Sequence, residues 1–196
     1  MGKLTVILGG ARSGKSIFAE KMAESRSQNV LYIATAGPDD PEMKLRIHRH
    51  QQQRPEHWAT LEQQKEIAAG YRALSSPADL VLLDCVTVLT SNVILEAAGS
   101  LENPDELAAE EALKTEIESL LELIAGDPAD WILVTNEVGS GLVPPYPVGR
   151  IYRDLLGWAN KRLTAESQEC YLTVSGKILD LNRLAVDLDT FFSDDS

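Results

Sequence analysis

The chain has 196 residues, 44% of them apolar, and a formal net charge of -12 at pH 7. That length suits one domain with a real core, and that apolar content excludes a disordered chain. The acidic balance excludes an extended nucleic-acid surface, which needs surplus Lys and Arg, and no apolar run approaches the roughly 20 residues of a membrane span.

The N-terminal MGKLTVILGG reaches a glycine turn before any secretory-leader pattern develops, so the expected location is the cytoplasm. Its run Leu4–Leu8 predicts a first strand, and this leads straight into Gly9, Gly10, Ala11, Arg12, Ser13, Gly14, Lys15 and Ser16. The octet fits the phosphate-loop pattern G-x-x-x-x-G-K-[ST]. Glycines let the backbone curl so that successive N–H groups face phosphate oxygens. The helix expected over 15–26 adds the partial positive charge of its N-terminus. Lys15 is expected to reach the β- and γ-phosphates of a nucleotide, and Ser16 to ligate Mg2+.

Val30–Ala34 predicts a second strand. A helix is expected over 41–53, opened by Pro41 and limited by Pro55. Its end and the residues just after it, Lys44–Pro55, read KLRIHRHQQQRP, with two histidines among the cations and no acid. Glu42, Arg46, His50 and Arg54 recur every four residues and so share one helix face, with Met43 and Ile47 beside them to dock it. A charged stripe on a helix is usually only a solvated face, but cations alternating with a histidine suit polyphosphate. A neutral His50 flanked by arginines can attack an α-phosphate in line, while the guanidinium groups stabilise charge developing on the phosphoryl oxygens. His48, two residues earlier, points elsewhere on such a helix. His57, just before Trp58, reads as a packed or surface residue.

Leu80–Leu83 predicts a third strand, ending in Asp84, the carboxylate expected to hold Mg2+ directly or through water. Cys85 follows. With Cys170 it makes two cysteines, too few for a disulfide framework, and both are expected as buried free thiols in a reducing cytosol. Gly99–Glu106 reads as a loop insertion. A helix over 105–125 places Leu113, Ile117, Leu120, Leu121 and Ile124 on one face. Trp131–Thr135 predicts a strand that ends in Asn136 and Glu137; Val143–Pro147 reads as a stiff loop, 148–166 as a helix and Cys170–Val174 as a strand. The last residues, acidic, are expected to fray. Residues 1–98 hold 11 basic and 11 acidic side chains and residues 99–196 hold 7 and 19, so the whole deficit of 12 lies in the second half.

Every strand candidate is almost continuously apolar, as strands buried on both faces are. The expected fold class is therefore α/β: a single P-loop NTPase-like domain over 1–183, with a mainly parallel sheet flanked by helices (RecA-like), and an acidic tail over 184–196. In such sheets ligands gather at the carboxyl ends of the strands, where Lys15, Asp84, Asn136 and Glu137 should converge.

The segments GGARSGKS, YIATA, EMKLRIHRHQQQRP, TLE, LLDCVTVLTSN, LVTNEVGSGLVP and VSG follow one another in this order. In this the chain resembles the bifunctional adenosylcobinamide kinase / adenosylcobinamide-phosphate guanylyltransferase family of cobalamin biosynthesis, from the first strand to about Gly176. The block R-I-x-x-H-x-x-x-R-P, Arg46 to Pro55, is its distinctive part. The resemblance implies a transferase with two reactions. One phosphorylates the aminopropanol hydroxyl of adenosylcobinamide with ATP or GTP. The other takes GMP from GTP on a histidine, releasing pyrophosphate, and passes it to adenosylcobinamide phosphate to give adenosylcobinamide-GDP. It puts the nucleophile at His50, and the residue pattern adds Lys15 and Arg46 as the assisting catalytic cations. Nucleotide contacts then fall on the phosphate loop and on Ala34, Thr35, Ala36, Gln51, Gln52, Gln53, Arg54, Glu62 and Asp84. A homotrimer is the implied assembly; the phosphate loop calls for Mg2+ as cofactor, and the charge and hydropathy leave no nucleic acid or membrane as an expected partner.

Rival readings fit less well. A GTPase switch would carry N-K-x-D, but Asn160 and Lys161 are followed by Leu163 where the aspartate belongs. A motor ATPase would need a basic surface for DNA. The remaining alternative is a single-activity P-loop small-molecule kinase in which His50 is merely structural.

Overall fold

The structure is a computed structural model that describes residues 2–37, 55, 57–76 and 78–186. In chain order it contains β1 (Leu4–Gly9), α1 (Lys15–Arg26), β2 (Val30–Ala34), β3 (Ala59–Glu62) and α2 (Ile67–Arg72). Then come β4 (Leu80–Asp84), α3 (Val86–Ala97), α4 (Glu106–Gly126), β5 (Asp130–Asn136), α5 (Pro147–Glu166), β6 (Glu169–Val174), β7 (Lys177–Asp180) and α6 (Leu181–Leu184). The helix expected over 41–53 lies outside the described residues, as does the tail from Asp187 on.

The strands form one sheet in the order β3-β2-β4-β5-β1-β6-β7. All neighbours pair in parallel except β6 and β7. The mainly parallel α/β sheet expected from the apolar runs is thus present. Successive strand residues point to opposite faces. Val6 and Leu8 join Val81, Leu83 and Leu133 under α3, α4 and α5, whereas Ile7, Tyr32, Leu82 and Ile132 pack against Ala19, Met22 and Ala23 of α1. This two-sided burial is why the strands read as unbroken apolar runs.

Two strands and three helices go beyond the sequence expectations. β3 and β7 are four-residue strands at the two edges, with mostly exposed side chains, so neither carries an apolar pattern. α3 reads VTVLTSNVILEA, rich in β-branched residues that disfavour helix. It is helical nonetheless, because Val86, Leu89, Val93 and Ile94 are all buried in the core beside α4. α2 begins where the buried carboxylate of Glu116, on α4, accepts from Glu66 N (2.8 Å) and Ile67 N (2.9 Å), satisfying N–H groups that a helix start leaves over. α4 has its own cap, Asp105, whose side chain accepts from Ala108 N at 3.0 Å. The Pro147 that closes the stiff loop is the first residue of α5.

Candidate nucleotide-binding site

β1 ends at Gly9 and the chain turns at once. Ser13 N donates to Gly10 O (3.3 Å), and Phe18 N to Gly14 O (3.0 Å) as α1 begins. Gly14 takes the left-handed conformation that closes the loop, at φ 100°. No acidic side chain lies in the first turn of α1, so the positive helix end stays open to an anion. Lys15 folds back over the loop and donates from Nζ to Gly10 O at 3.0 Å. Ser16, next in the helix, is half-buried.

The loop is held from outside as well. Ser13 Oγ and Thr173 Oγ1 lie 2.6 Å apart, Thr173 Oγ1 donates to Leu8 O (3.1 Å), and Gly176 N donates to Ser13 O (2.9 Å). A Cβ on Gly9 would come within 2.2 Å of Thr173 Oγ1, so the close approach of β6 requires glycine there.

The remaining site residues line the same edge. Strand register sets Glu62 beside Ala34 and Ala34 beside Asp84, a row across β3, β2 and β4. Glu62 is exposed, Asp84 half-buried and Thr35 fully buried. β5 separates the Asp84 strand from the phosphate-loop strand. Its tip is pinned by three side-chain contacts: Asn136 N donates to Thr87 Oγ1 (2.6 Å), Asn160 Nδ2 to Asn136 O (2.9 Å) and Thr135 Oγ1 to Asn160 Oδ1 (2.7 Å). The thiol of Cys85 is pushed up to about 11, mainly by burial and further by the neighbouring Asp84 charge; the charge of Lys15 acts on it in the opposite sense. The Tyr152 hydroxyl, which donates to Thr87 O at 3.3 Å, is pushed up to about 12, again mainly by burial.

Among the sequence-derived candidates the structure sets the phosphate loop, Ala34 to Ala36, Glu62 and Asp84 along one edge of the sheet, with Glu62 at its far end from the loop. His50, Arg46, Gln51, Gln52, Gln53 and Arg54 lie outside the described residues. His57 is exposed, as expected of a residue without a charged neighbourhood. Both cysteines are free; Cys170 is buried and Cys85 half-buried. Sequence reasoning gave no role to the supports Thr87, which lies within the segment LLDCVTVLTSN, and Thr173, because a lone Thr carries no signal of the partner it will hold. Among the described residues no helix is long and apolar enough to cross a membrane.

The family model described as cobinamide kinase / cobinamide phosphate guanyltransferase matches residues 5–181. A bifunctional adenosylcobalamin biosynthesis protein, CobU of Escherichia coli (strain K12), is 43% identical over 176 residues, covering 88% of this chain and 96% of that protein. CobU of Salmonella typhimurium is 41% identical over 175 residues, with 88% and 96% covered. CobP of Pseudomonas aeruginosa is 39% identical over 171 residues, with 87% and 92% covered. Among solved structures, a prototypical ATPase from the type III secretion system of pathogenic bacteria superposes with TM-score 0.54 at 13% identity, covering 98% of this chain and 61% of that one. That last likeness concerns the fold alone. With a match running across nearly every described strand, and relatives similar along almost their whole length, this chain belongs to the cobinamide kinase / cobinamide phosphate guanyltransferase family and is a transferase.

Proposed function

We propose that the enzyme phosphorylates the aminopropanol hydroxyl of adenosylcobinamide, using ATP or GTP, and then guanylylates the product through a GMP–His50 intermediate. The observation that carries this reading is the placement of the phosphate loop with Lys15 and of Asp84 at the same carboxyl edge of the sheet, in a chain of this family.

In the first reaction the substrate hydroxyl oxygen attacks the γ-phosphorus. The bond to the β–γ bridging oxygen breaks and nucleoside diphosphate leaves. The loop N–H groups and Lys15 hold the phosphates and offset the charge that builds on them, so positioning and electrostatics do most of the work. Ser16 and Asp84 would hold Mg2+. Their hydroxyl and carboxylate oxygens suit this hard cation, and among the described residues no His, Cys, Asp or Glu cluster offers a competing site. Bound there, the ion neutralises phosphate charge.

In the second reaction an imidazole nitrogen of His50 attacks the α-phosphorus of GTP. The bond to the α–β bridging oxygen breaks, pyrophosphate leaves and the imidazole gives up its proton. A phosphate oxygen of adenosylcobinamide phosphate then attacks the same phosphorus and the P–N bond breaks, giving adenosylcobinamide-GDP. Arg46 offsets the charge that develops on the phosphoryl oxygens. The block from Arg46 to Pro55 supports these roles. The homotrimer and the cytoplasmic setting, where nucleoside triphosphates are made and thiols stay reduced, belong to the same proposal.

The test is incubation with α-32P-GTP followed by denaturing electrophoresis. Label that stays on the protein, and chases into adenosylcobinamide-GDP when adenosylcobinamide phosphate is added, is the expected result. Phosphorylation of adenosylcobinamide without protein-bound label would leave a single-activity kinase.

A further inference from the structure

Asn92 stands on α3 and ends the segment LLDCVTVLTSN, which by itself gave this residue no role. Its side-chain nitrogen donates to Thr35 O at 2.9 Å and to Gln64 O at 3.1 Å. Both amide hydrogens are thus spent on the backbone of two different loops, one leaving β2 and the other leaving β3. Thr35 extends the link: its Oγ1 accepts from Cys85 N and donates to Cys85 O, each at 2.9 Å, which ties the β2 loop to the end of β4. One turn along α3, Glu96 pairs with Lys65, next to Gln64. The β ladder itself runs out here. The last bonds across these strand ends are Thr35 N to Asp84 O (3.4 Å) and Gln63 N to Ala34 O (2.9 Å). Past them, side chains set the spacing.

We infer that Asn92 is a positioning residue for nucleotide binding. Its carboxamide fixes the spacing of the two loops that follow Ala34 and Glu62, the first of which carries Thr35 and Ala36, and, through Thr35, their placement relative to Asp84. This rests on reading those residues as nucleotide contacts. Without the carboxamide the loops have to be ordered each time a nucleotide binds. The cost of ordering lowers affinity, whereas the reacting phosphates, gripped by the phosphate loop on the other side of β5, keep their geometry. A change that weakens ground state and transition state equally raises KM and leaves kcat alone.

The experiment uses the full chain with Asn92→Leu, which keeps the bulk and removes both donors, and Asn92→Asp, which keeps the shape and turns a carboxylate toward two carbonyl oxygens. Calorimetric Kd for GTP, KM and kcat for phosphorylation of adenosylcobinamide, and the melting temperature without nucleotide are measured for both and for the wild type. Kd and KM are expected to rise about tenfold, kcat to stay within about threefold, and Asn92→Asp to be the weaker binder. Kd and KM within twofold of wild type in both variants overturn the inference. So does a loss confined to kcat, or a lower melting temperature with KM unchanged, since either makes Asn92 a purely structural residue. If the wild type itself fails to bind GTP, the nucleotide reading falls and the inference with it; indifferent variants of a wild type that binds sink the inference alone.

Discussion

Ser13 and Thr173 share a hydrogen bond of 2.6 Å across 160 residues of sequence. A hydroxyl has one proton, and that of Thr173 goes to Leu8 O, so Ser13 is the donor between them. With Gly176 N on Ser13 O, the β6–β7 hairpin supports the phosphate loop from outside.

Thr173→Val keeps the volume and deletes the hydroxyl, leaving buried Ser13 Oγ and Leu8 O without it. A cost of about 1–3 kcal/mol is expected for a buried polar group left unpaired. Calorimetry should show a fall in Tm of a few degrees together with a higher KM for ATP, and Thr173→Ser should recover both. Gly9→Ala should be worse, because its methyl group would meet Thr173 and Ser13 at 2.2–2.6 Å.

Lys15→Ala removes the cation held over the phosphate loop. Phosphoryl transfer to adenosylcobinamide should fall by at least about 100-fold, the scale of losing one preorganised charge stabiliser. Asp84→Asn should shift the Mg2+ titration of the rate to higher concentration; an unchanged titration would remove Asp84 from the metal site.

His50→Ala should still phosphorylate adenosylcobinamide, since that step needs no protein nucleophile, and should accumulate adenosylcobinamide phosphate without forming adenosylcobinamide-GDP. The wild-type adduct should be a phosphoramidate, lost in mild acid and stable to alkali. His48→Ala should label normally, because two residues along a helix rotate a side chain by roughly 200°. Arg46→Ala should label slowly. Label on His50→Ala together with none on His48→Ala would move the nucleophile.

Glu169 receives hydrogen bonds from Arg26 (2.7 Å), Thr5 (2.9 Å) and Lys3 (3.1 Å). Burial alone would raise its pKa; these bonds outweigh burial and hold the carboxyl below its ordinary value. A depressed folded-state pKa contributes stability that is present above the unfolded value, about 4.3, and lost as pH falls through the folded one. Thermal melts across acidic pH should therefore show a steeper acid limb for the wild type than for Glu169→Gln. Parallel curves would mean the cluster adds nothing.

Burial and, for Cys85, the Asp84 charge, or for Cys170, the Asp180 charge, push both thiols up to about 11. The reactive thiolate is scarce at pH 8. Iodoacetamide at that pH should leave the native protein unmodified by mass and add two labels once it is unfolded. Rapid labelling of native Cys85 would contradict its half-buried, anion-flanked setting.

The phosphate loop was legible in the sequence because it is local: strand, glycine turn and helix are contiguous, and Gly9 to Ser16 alone specify the turn. The four buried strands β1, β2, β4 and β5 were legible because burial on both faces demands unbroken apolar runs such as WILV, and the half-buried β6 because its run from Cys170 to Val174 is still largely apolar. Asp84 could be placed because it ends one of them. α3 was not legible, since its β-branched residues argue against a helix and only burial in the core beside α4 overrides them. Nor were β3 and β7, which gain their strand geometry from a neighbour at the sheet edge rather than from apolar side chains. Strand order, and with it the shared sheet edge of Lys15 and Asp84 and the contacts of Ser13 with Thr173 and of Asn92 with Gln64, was decided by tertiary structure. Each of these contacts joins segments that meet only after the sheet has assembled, and a single polar side chain carries no periodicity to announce the partner it will find.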